Sequence, residues 1–264
     1  MNESSLSLVI PAYNESEGVA QTAAAVRTLL EYLTKKHTVE VIFVNDGSKD
    51  DTRERLEAEF KDDARVKVVS HVVNQGLGAA IRTGLKASTG DIVITTDFDG
   101  TYPLNTVPQI LGRLQVDGSD IVTASPYHPN GRVEGVPPYR LMFSFGASLL
   151  YRMLVKWNIY CWTALYRAYR RPVIERITFE SNDFLAGTEL LVKALRAGYK
   201  VTEFPTTLHV RTYGQSSMRV MKVTMAHLQF QWRLLKQSIL HNDPGLQVPQ
   251  IKKSEPNAVA NNIT

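Results

Sequence analysis

Two aspartates one residue apart, Asp97 and Asp99, close a short run of mostly β-branched residues and precede a glycine. Such a run is typical of a strand, and alternate side chains of a strand share a face. Both carboxylates are therefore expected to point the same way from the carboxyl end of the strand. Paired hard-oxygen ligands suit Mg²⁺ or Mn²⁺, ions that also hold phosphate oxygens. The pair alone is a weak signal, because aspartate is common in loops.

Strand patterns alternate with helix patterns along the first half of the chain. Short apolar runs predict strands, which cover 6–11, 39–44, 66–72, the run that ends at Asp97, and 120–124. Apolar residues at helical spacing predict helices, which cover 17–34, a segment carrying Leu56 and Phe60, 76–88, and 104–116. The alternation predicts an α/β fold with a Rossmann-like, doubly wound and mostly parallel sheet, followed by amphipathic helices toward the carboxyl terminus.

Polar loops follow four of the predicted strands, at 11–15, 45–48, 74–78 and 97–99. In a doubly wound sheet the ligand lies beyond the carboxyl ends of the strands, so these loops are expected to converge on one rim. Asp46 in the second loop suits an acceptor for a base N–H or a ribose hydroxyl. Ordinary turn chemistry explains any one loop by itself, and the carboxylate of Asp46 also suits a helix N-terminus.

The composition restricts the class of protein and of partner. The net charge of +4 is mild, which does not call for nucleic acid and fits an anionic ligand or an anionic membrane surface. The single cysteine, Cys161, excludes an internal disulfide. The amino terminus lacks the pattern of a signal peptide, and the apolar runs at 141–151 and 157–166 are shorter than the roughly 20 residues that span a bilayer. We expect a cytoplasmic protein that associates peripherally with a membrane.

A strongly apolar helix is predicted over 140–157. Its polar residues recur at every fourth position, as Arg140, Ser144, Ser148, Arg152 and Lys156. One reading is an interfacial helix with its apolar side in lipid and its basic stripe toward phosphates. The other is a core helix whose polar edge meets solvent.

A second amphipathic helix is predicted over 217–241, and its polar residues form one narrow stripe. That pattern fits packing against the domain, against a membrane-anchoring partner or a second copy of the chain, or against the membrane surface. The remaining residues, 242–264, have no periodicity and are expected to be disordered.

Three motifs together carry a resemblance to a known family. They are Pro-Ala-Tyr-Asn-Glu at 11–15, Asn-Asp-Gly-Ser at 45–48 and Asp-Phe-Asp at 97–99. With them the chain resembles the family-2 glycosyltransferases of GT-A fold, and within these the dolichyl- and polyprenyl-phosphate sugar synthases, over about residues 6–215. The resemblance implies one domain at 1–216, with a nucleotide-binding half at 1–103 and an acceptor half at 104–216.

The resemblance also implies roles for individual residues. A nucleotide-sugar donor would be lined by Pro11, Tyr13, Glu15, Val44 and Asp46. Asp97 and Asp99 would hold Mg²⁺ or Mn²⁺ beside the backbone of Phe98, with Thr101 at the position of a further ligand. The lipid-phosphate acceptor would be engaged by Arg140, Ser144 and Arg211, the last being the first residue of an Arg-Thr-Tyr-Gly-Gln-Ser segment.

The chain departs from the synthases at two cationic positions, which here are Pro126 and Ser217. The side chains that offer compensating charge are His128, Arg132, Arg219 and Lys222.

Three functions stay open on the sequence. A phosphate acceptor is already ionised near neutral pH and needs no general base, so transfer to polyprenyl or dolichyl phosphate with inversion is one. A hydroxyl acceptor requires a carboxylate base, for which Glu189 is the candidate. The third is a non-catalytic nucleotide-binding or regulatory module of a membrane assembly.

Overall fold

A computed structural model describes residues 4–211 and 220–240, except the side chains of Arg140 and 238–240. The strands are β1 (Ser5–Ala12), β2 (Thr38–Asn45), β3 (Val66–Ser70), β4 (Ile92–Thr95), β5 (Ile121–Ser125), β6 (Arg132–Glu134), β7 (Arg167–Arg170), β8 (Val201–Pro205) and β9 (Thr207–His209). The helices are α1 (Val19–Leu33), α2 (Thr52–Glu59), α3 (Leu77–Ala87), α4 (Val107–Val116), α5 (Pro138–Leu154), α6 (Arg171–Arg176), α7 (Ala186–Arg196) and α8 (Val220–Leu240). Short 3₁₀ turns at Ser16–Gly18 and Leu104–Thr106 precede α1 and α4.

The predicted doubly wound, mostly parallel sheet is confirmed. Within the described part of the chain, seven strands form one sheet in the order β3-β2-β1-β4-β7-β5-β8. All of its pairs are parallel except those of β7, which lies antiparallel between β4 and β5. The sequence pattern does not predict β7, because a short strand buried on both faces shows no alternation of apolar and polar residues. β6 pairs with β9 in a separate two-stranded ribbon.

Helices cover both faces of the sheet, which explains its nearly continuous apolar strands. On β1, Leu8 and Ile10 pack in the core beneath α1 and α4, whereas Val9 between them packs against α3 on the other face. α3 approaches this face closely: a Cβ on Gly84 would lie 2.3 Å from Cγ1 of Val9. A glycine is required there because any larger side chain would push α3 away from the sheet.

α5 is present, and the two serines of its predicted polar stripe turn toward the 162–163 loop. The hydroxyl of Ser144 lies 2.6 Å from that of Thr163, and Ser148 is buried and accepts the Trp162 N–H. The exposed side chains are instead apolar, among them Met142, Phe145 and Met153. The stripe prediction is wrong at Ser148, because its hydroxyl is buried against the 162–163 loop, whereas Ser144 is only partly buried. The alternative, a core helix with a polar outer edge, does not describe α5 either.

α8 packs against α5, and its buried side includes Phe230 and Leu234. No helix within residues 4–211 and 220–240 has the length and apolar character needed to cross a bilayer. The predicted disordered tail at 242–264 lies outside the described residues, as do Ser217 and Arg219.

Candidate active site

The carboxyl ends of β1, β2 and β4 meet at one cavity of about 440 Å³. It is called the donor cavity below, after the role that the resemblance implies. Most of the residues predicted to bind the nucleotide and the metal line it together, namely Pro11, Tyr13, Glu15, Asp46, Asp97, Phe98 and Asp99. The segment at 74–78 also contributes, through Asn74, Gly76 and Leu77. The predicted convergence of the strand-end loops is therefore present.

Val44 is the exception among the predicted nucleotide residues. Its side chain is fully buried and packs with Ile42, Ala80 and Val93 in the core between the sheet and α3. Val44 does not line the donor cavity, so its predicted contact with the nucleoside is wrong. Because it lies one residue before the end of β2, its packing fixes the position from which the Asp46 loop leaves the sheet.

Asp46 lines the donor cavity but is already fully hydrogen-bonded. One carboxylate oxygen accepts from His71 Nδ1 at 2.7 Å and from the Gln75 N–H at 2.9 Å. The other accepts from the Asn74 side chain at 2.9 Å and from the Gly76 N–H at 2.8 Å. In this structure Asp46 therefore shapes the 74–76 loop, and a contact to a base or a ribose requires one of these bonds to be exchanged.

Arg211 joins the cluster from the far end of the domain. Its guanidinium donates to the Glu15 carboxylate, and its Nε lies 3.2 Å from Oδ2 of Asp99. Burial raises the pKa of Glu15 to about 7, an effect that Arg211 counters and Asp99 reinforces. Burial by the cavity walls and the neighbouring Asp99 also raise the pKa of Asp97. Three close carboxylates thus share one guanidinium, so the cluster holds more acidic than basic groups.

A hard divalent cation fits this cluster. Asp97 and Asp99 offer carboxylate oxygens, the ligands that Mg²⁺ and Mn²⁺ prefer, and one oxygen of Glu15 is buried without a hydrogen bond. The described residues contain no group of three His, Cys, Asp or Glu side chains that would hold a metal alone. The remaining ligands would therefore come from a bound substrate and from water, as is usual for Mg²⁺.

A second cavity, of about 280 Å³, meets the first at the same two carboxylates. It is called the acceptor cavity. Besides Asp97 and Asp99 it is lined by Thr101 and Ser144, and its other walls are largely apolar. They include Leu141, Phe143 and Ala147 of α5 and Val223 of α8. Thr101 also donates its N–H to Asp99 at 3.1 Å. The backbone of Arg140 lies in the first turn of α5.

Glu189 is not brought to either cavity. Its buried carboxylate accepts the N–H groups of Glu180 at 3.0 Å and Ser181 at 2.9 Å, and it pairs with Lys193 at 2.7 Å. The carboxylate is thus used in holding the 180–183 loop against the start of α7. The structure gives no support to the prediction that Glu189 serves as a general base.

Sequence reasoning missed Asp183 as a residue of the donor cavity. It lies on the loop that Glu189 holds, and its carboxylate pairs with Lys222 of α8 at 2.8 Å. Of the four residues with compensating charge, Lys222 lines the donor cavity, whereas His128 packs on Tyr160 and Arg132 is exposed on β6. In the sequence, Asp183 is marked only by its place in a polar segment before a helix. Its contact with the distant helix α8 leaves no local pattern.

The sequence matches a known protein family and curated relatives. Residues 7–178 match the family described as Glycosyl transferase family 2. The dolichol-phosphate mannosyltransferase of Pyrococcus furiosus is 30% identical over 88% of this chain, which spans 64% of that protein's length. The undecaprenyl-phosphate mannosyltransferase of Micrococcus luteus is 28% identical over 86% of this chain and 96% of its own length.

Solved structures resemble the whole fold. Glucosyl-3-phosphoglycerate synthase from Mycobacterium tuberculosis, in complex with Mn²⁺, UDP and glucosyl-3-phosphoglycerate, matches with a TM-score of 0.65 and 22% identity, over 92% of this chain and 82% of that one. The family match covers more than half of the chain, and the sheet carries the Asp97 and Asp99 pair. Together these observations lead to one assignment. The protein belongs to glycosyl transferase family 2 and has the GT-A fold.

Proposed function

We propose that the protein is an inverting glycosyltransferase that moves a sugar from a nucleotide diphosphate sugar to a polyprenyl or dolichyl phosphate at a membrane surface. The observation that carries the proposal is the meeting of two unlike cavities at Asp97 and Asp99. The donor cavity is rich in charged side chains, whereas the acceptor cavity is walled mainly by apolar ones. A charged donor and an acceptor with an apolar tail are the substrates that such a pair of cavities fits.

On the donor side, Pro11 and Tyr13 offer a wall for the nucleoside, and Asp97 and Asp99 would hold Mg²⁺ or Mn²⁺ beside the diphosphate. When bound, the ion supplies positive charge that stabilises the departing nucleoside diphosphate. The Mn²⁺ and UDP in the Mycobacterium tuberculosis structure support this assignment. Arg211 contributes a further positive charge at the same point, because its guanidinium already contacts Asp99.

On the acceptor side, a phosphate monoester is ionised near neutral pH, with a second pKa around 6. Its oxygen therefore needs an oriented position and screening of its charge more than it needs a base. Ser144 in the acceptor cavity and Arg211 at the carboxylate pair offer these, with Arg140 at the start of the same helix as Ser144. The engagement of Glu189 with the 180–183 loop favours this acceptor over a hydroxyl. Attack opposite the leaving diphosphate inverts the anomeric carbon.

Exposed apolar side chains on α5 and α8 support a position at the membrane surface. On α8, Met221, Met225, Leu228 and Trp232 form one stripe at helical spacing, and Met221 is 69% exposed. The exposed stripe beside it carries the basic residues Arg233 and Lys236. An exposed apolar stripe flanked by basic residues is the arrangement that binds an anionic lipid surface. A second copy of the chain or a membrane-anchoring partner is the competing occupant.

A donor screen tests the proposal. The purified chain is incubated with labelled nucleotide sugars, phospholipid vesicles containing polyprenyl phosphate, and Mn²⁺ or Mg²⁺, and the label in the organic phase is counted. At least one donor is expected to give a lipid-extractable product that disappears with EDTA. The absence of such a product with every uridine and guanosine donor tried would contradict the proposed function.

A further inference from the structure

The first two turns of α8 lie between the donor cavity and the protein surface. Lys222, Val223 and Ala226 line the donor cavity, and Val223 also lines the acceptor cavity. Their neighbours Met221 and Met225 belong to the exposed apolar stripe. These two helical turns therefore form part of the wall of the site while presenting apolar side chains outward.

We propose that Lys222 binds the diphosphate of the nucleotide sugar and exchanges its partner Asp183 for the phosphate oxygens. This inference rests on the proposed function, because it presupposes a nucleotide donor in the donor cavity. It assigns a phosphate contact to a residue of α8, outside the strand-end loops that supply most of that cavity.

The balance of charge in the donor cavity carries the first step. Its carboxylates are Glu15, Asp46, Asp97, Asp99 and Asp183. The cationic side chains among its described lining residues are Arg211 and Lys222. Arg211 is already paired with Glu15 and Asp99. Lys222 is therefore the cation that is not paired with Asp97 or Asp99. A diphosphate brings further negative charge, so both cations are needed to accept it.

The pairing of Lys222 in this structure is the kind that exchanges readily. Its Nζ lies 2.8 Å from Asp183 Oδ2, and the two side chains are 65% and 44% exposed. An exposed ion pair contributes little to stability, because water already solvates both charges well. Phosphate oxygens carry more charge than one carboxylate and offer more acceptors to the three donors of an ammonium group. Exchange of Asp183 for a diphosphate is therefore favourable.

Buried contacts with α5 fix the rotation of α8 that directs Lys222 to the donor cavity. The Tyr151 hydroxyl lies 3.0 Å from His227 Nδ1, and the Gln231 side chain donates to the Ala147 carbonyl at 3.0 Å. Polar contacts of this kind between buried residues specify one register, since any other leaves their groups unpaired. Lys222 lines the donor cavity but not the acceptor cavity, whose α8 residues are Val220, Val223, Thr224 and His227. This placement favours the donor diphosphate over the acceptor phosphate.

The test compares Lys222→Gln with Lys236→Gln in the full chain. Lys236 lies on the same helix, in contact with the Trp232 ring and away from both cavities. Binding of UDP, GDP and the matching nucleosides is measured by calorimetry with Mn²⁺ present. Lys222→Gln is expected to weaken nucleoside diphosphate binding about tenfold and to leave nucleoside binding unchanged. Lys222→Arg is expected to restore most of the loss, and Lys236→Gln to bind nucleoside diphosphate as the wild type does.

Four results would overturn the inference. Unchanged nucleoside diphosphate binding by Lys222→Gln, in a wild-type chain that binds it, refutes the Lys222 contact and leaves the proposed function standing. A rise in the KM for polyprenyl phosphate, without a change in nucleoside diphosphate binding, moves Lys222 to the acceptor phosphate. An equal loss of nucleoside and nucleoside diphosphate binding indicates displacement of α8 instead of a lost charge. If the wild type binds neither diphosphate, the proposed function fails and takes this inference with it.

Discussion

Arg211 lies against Asp99, with its Nε 3.2 Å from Oδ2, although the two residues are far apart in the sequence. The same guanidinium donates to Glu15 on the loop after β1. The carboxylate cluster therefore holds a protein cation where a divalent ion and a diphosphate are proposed to bind. Binding of both must redistribute these contacts, which makes the cluster sensitive to any change in its charge.

Asp97→Asn is expected to stabilise the ligand-free protein and to abolish transfer. The pKa of Asp97 is raised by burial and by Asp99, so its ionised form is disfavoured in the folded protein, and a neutral amide removes that penalty. We expect a higher melting temperature without metal, no further rise on addition of Mn²⁺ and UDP or GDP, and a loss of about 10³-fold in kcat. Calorimetry and the transfer assay measure these. A variant that is less stable without metal, yet still responds to Mn²⁺, would contradict the assignment.

Glu189→Gln is expected to reduce stability and to spare catalysis. The change leaves the buried Lys193 ammonium without its partner, and breaking a buried pair costs about 3–5 kcal/mol. Because the carboxylate holds the 180–183 loop and lines neither cavity, kcat per folded molecule should stay within a factor of about three of the wild type. Denaturant unfolding and kinetics at low temperature give the two quantities.

The double variant Glu189→Gln/Lys193→Met is the control for this loss of stability. It removes the unpaired charge and should recover part of the free energy of unfolding. A fall in kcat that persists in the double variant, with stability recovered, would restore Glu189 as a general base and favour a hydroxyl acceptor.

Trp232→Glu is expected to weaken binding to anionic vesicles. Trp232 is 58% exposed on the apolar stripe of α8, and a carboxylate there both removes apolar area and repels the lipid charge. Tyr32→Glu on α1 is the matched control, because Tyr32 is exposed to a similar extent but lies outside α5 and α8. Vesicle flotation should show a loss of about tenfold for the first variant and none for the second. Equal binding by both would point to a protein partner on the stripe.

Glu40→Gln is expected to make the free energy of unfolding less dependent on pH in the acid range. Burial by itself raises the pKa of Glu40, but bonds from Lys67, Ser7 and Thr89 outweigh it and lower the pKa to about 2. The folded-state pKa is below the ordinary value of 4.5. The contribution of ionised Glu40 to the stability of the folded protein is therefore present above about pH 4.5 and is lost as the pH falls toward 2. Allowing for the exposure of Lys67, the variant should lose about 1–2 kcal/mol at pH 7 and nothing near pH 2. A pH-independent difference would contradict the assignment.

The sequence is informative where local pattern and global topology coincide. Strands alternating with helices predict a parallel sheet, and the carboxyl ends of such strands share one rim. The proximity of Glu15, Asp46 and the Asp97 and Asp99 pair is therefore predictable from the sequence. Ser148 could not be oriented in the same way, because its partner Trp162 lies on a separate loop. The same limit applies to Lys222 and Asp183, whose contact joins a helix and a loop that no sequence period connects.

A comparison of polyprenyl phosphate with the corresponding polyprenol tests most directly whether the acceptor is a lipid phosphate. Both lipids are presented in the same vesicles with the nucleotide sugar that the donor screen identifies and with Mn²⁺. Labelled product is expected to form only with the phosphate, at a rate that falls as the pH drops below about 6 and the monoester is protonated. Inversion at the anomeric carbon is expected in that product. Comparable product from the free alcohol, or retention of configuration with the phosphate, would contradict an inverting transfer to a lipid phosphate.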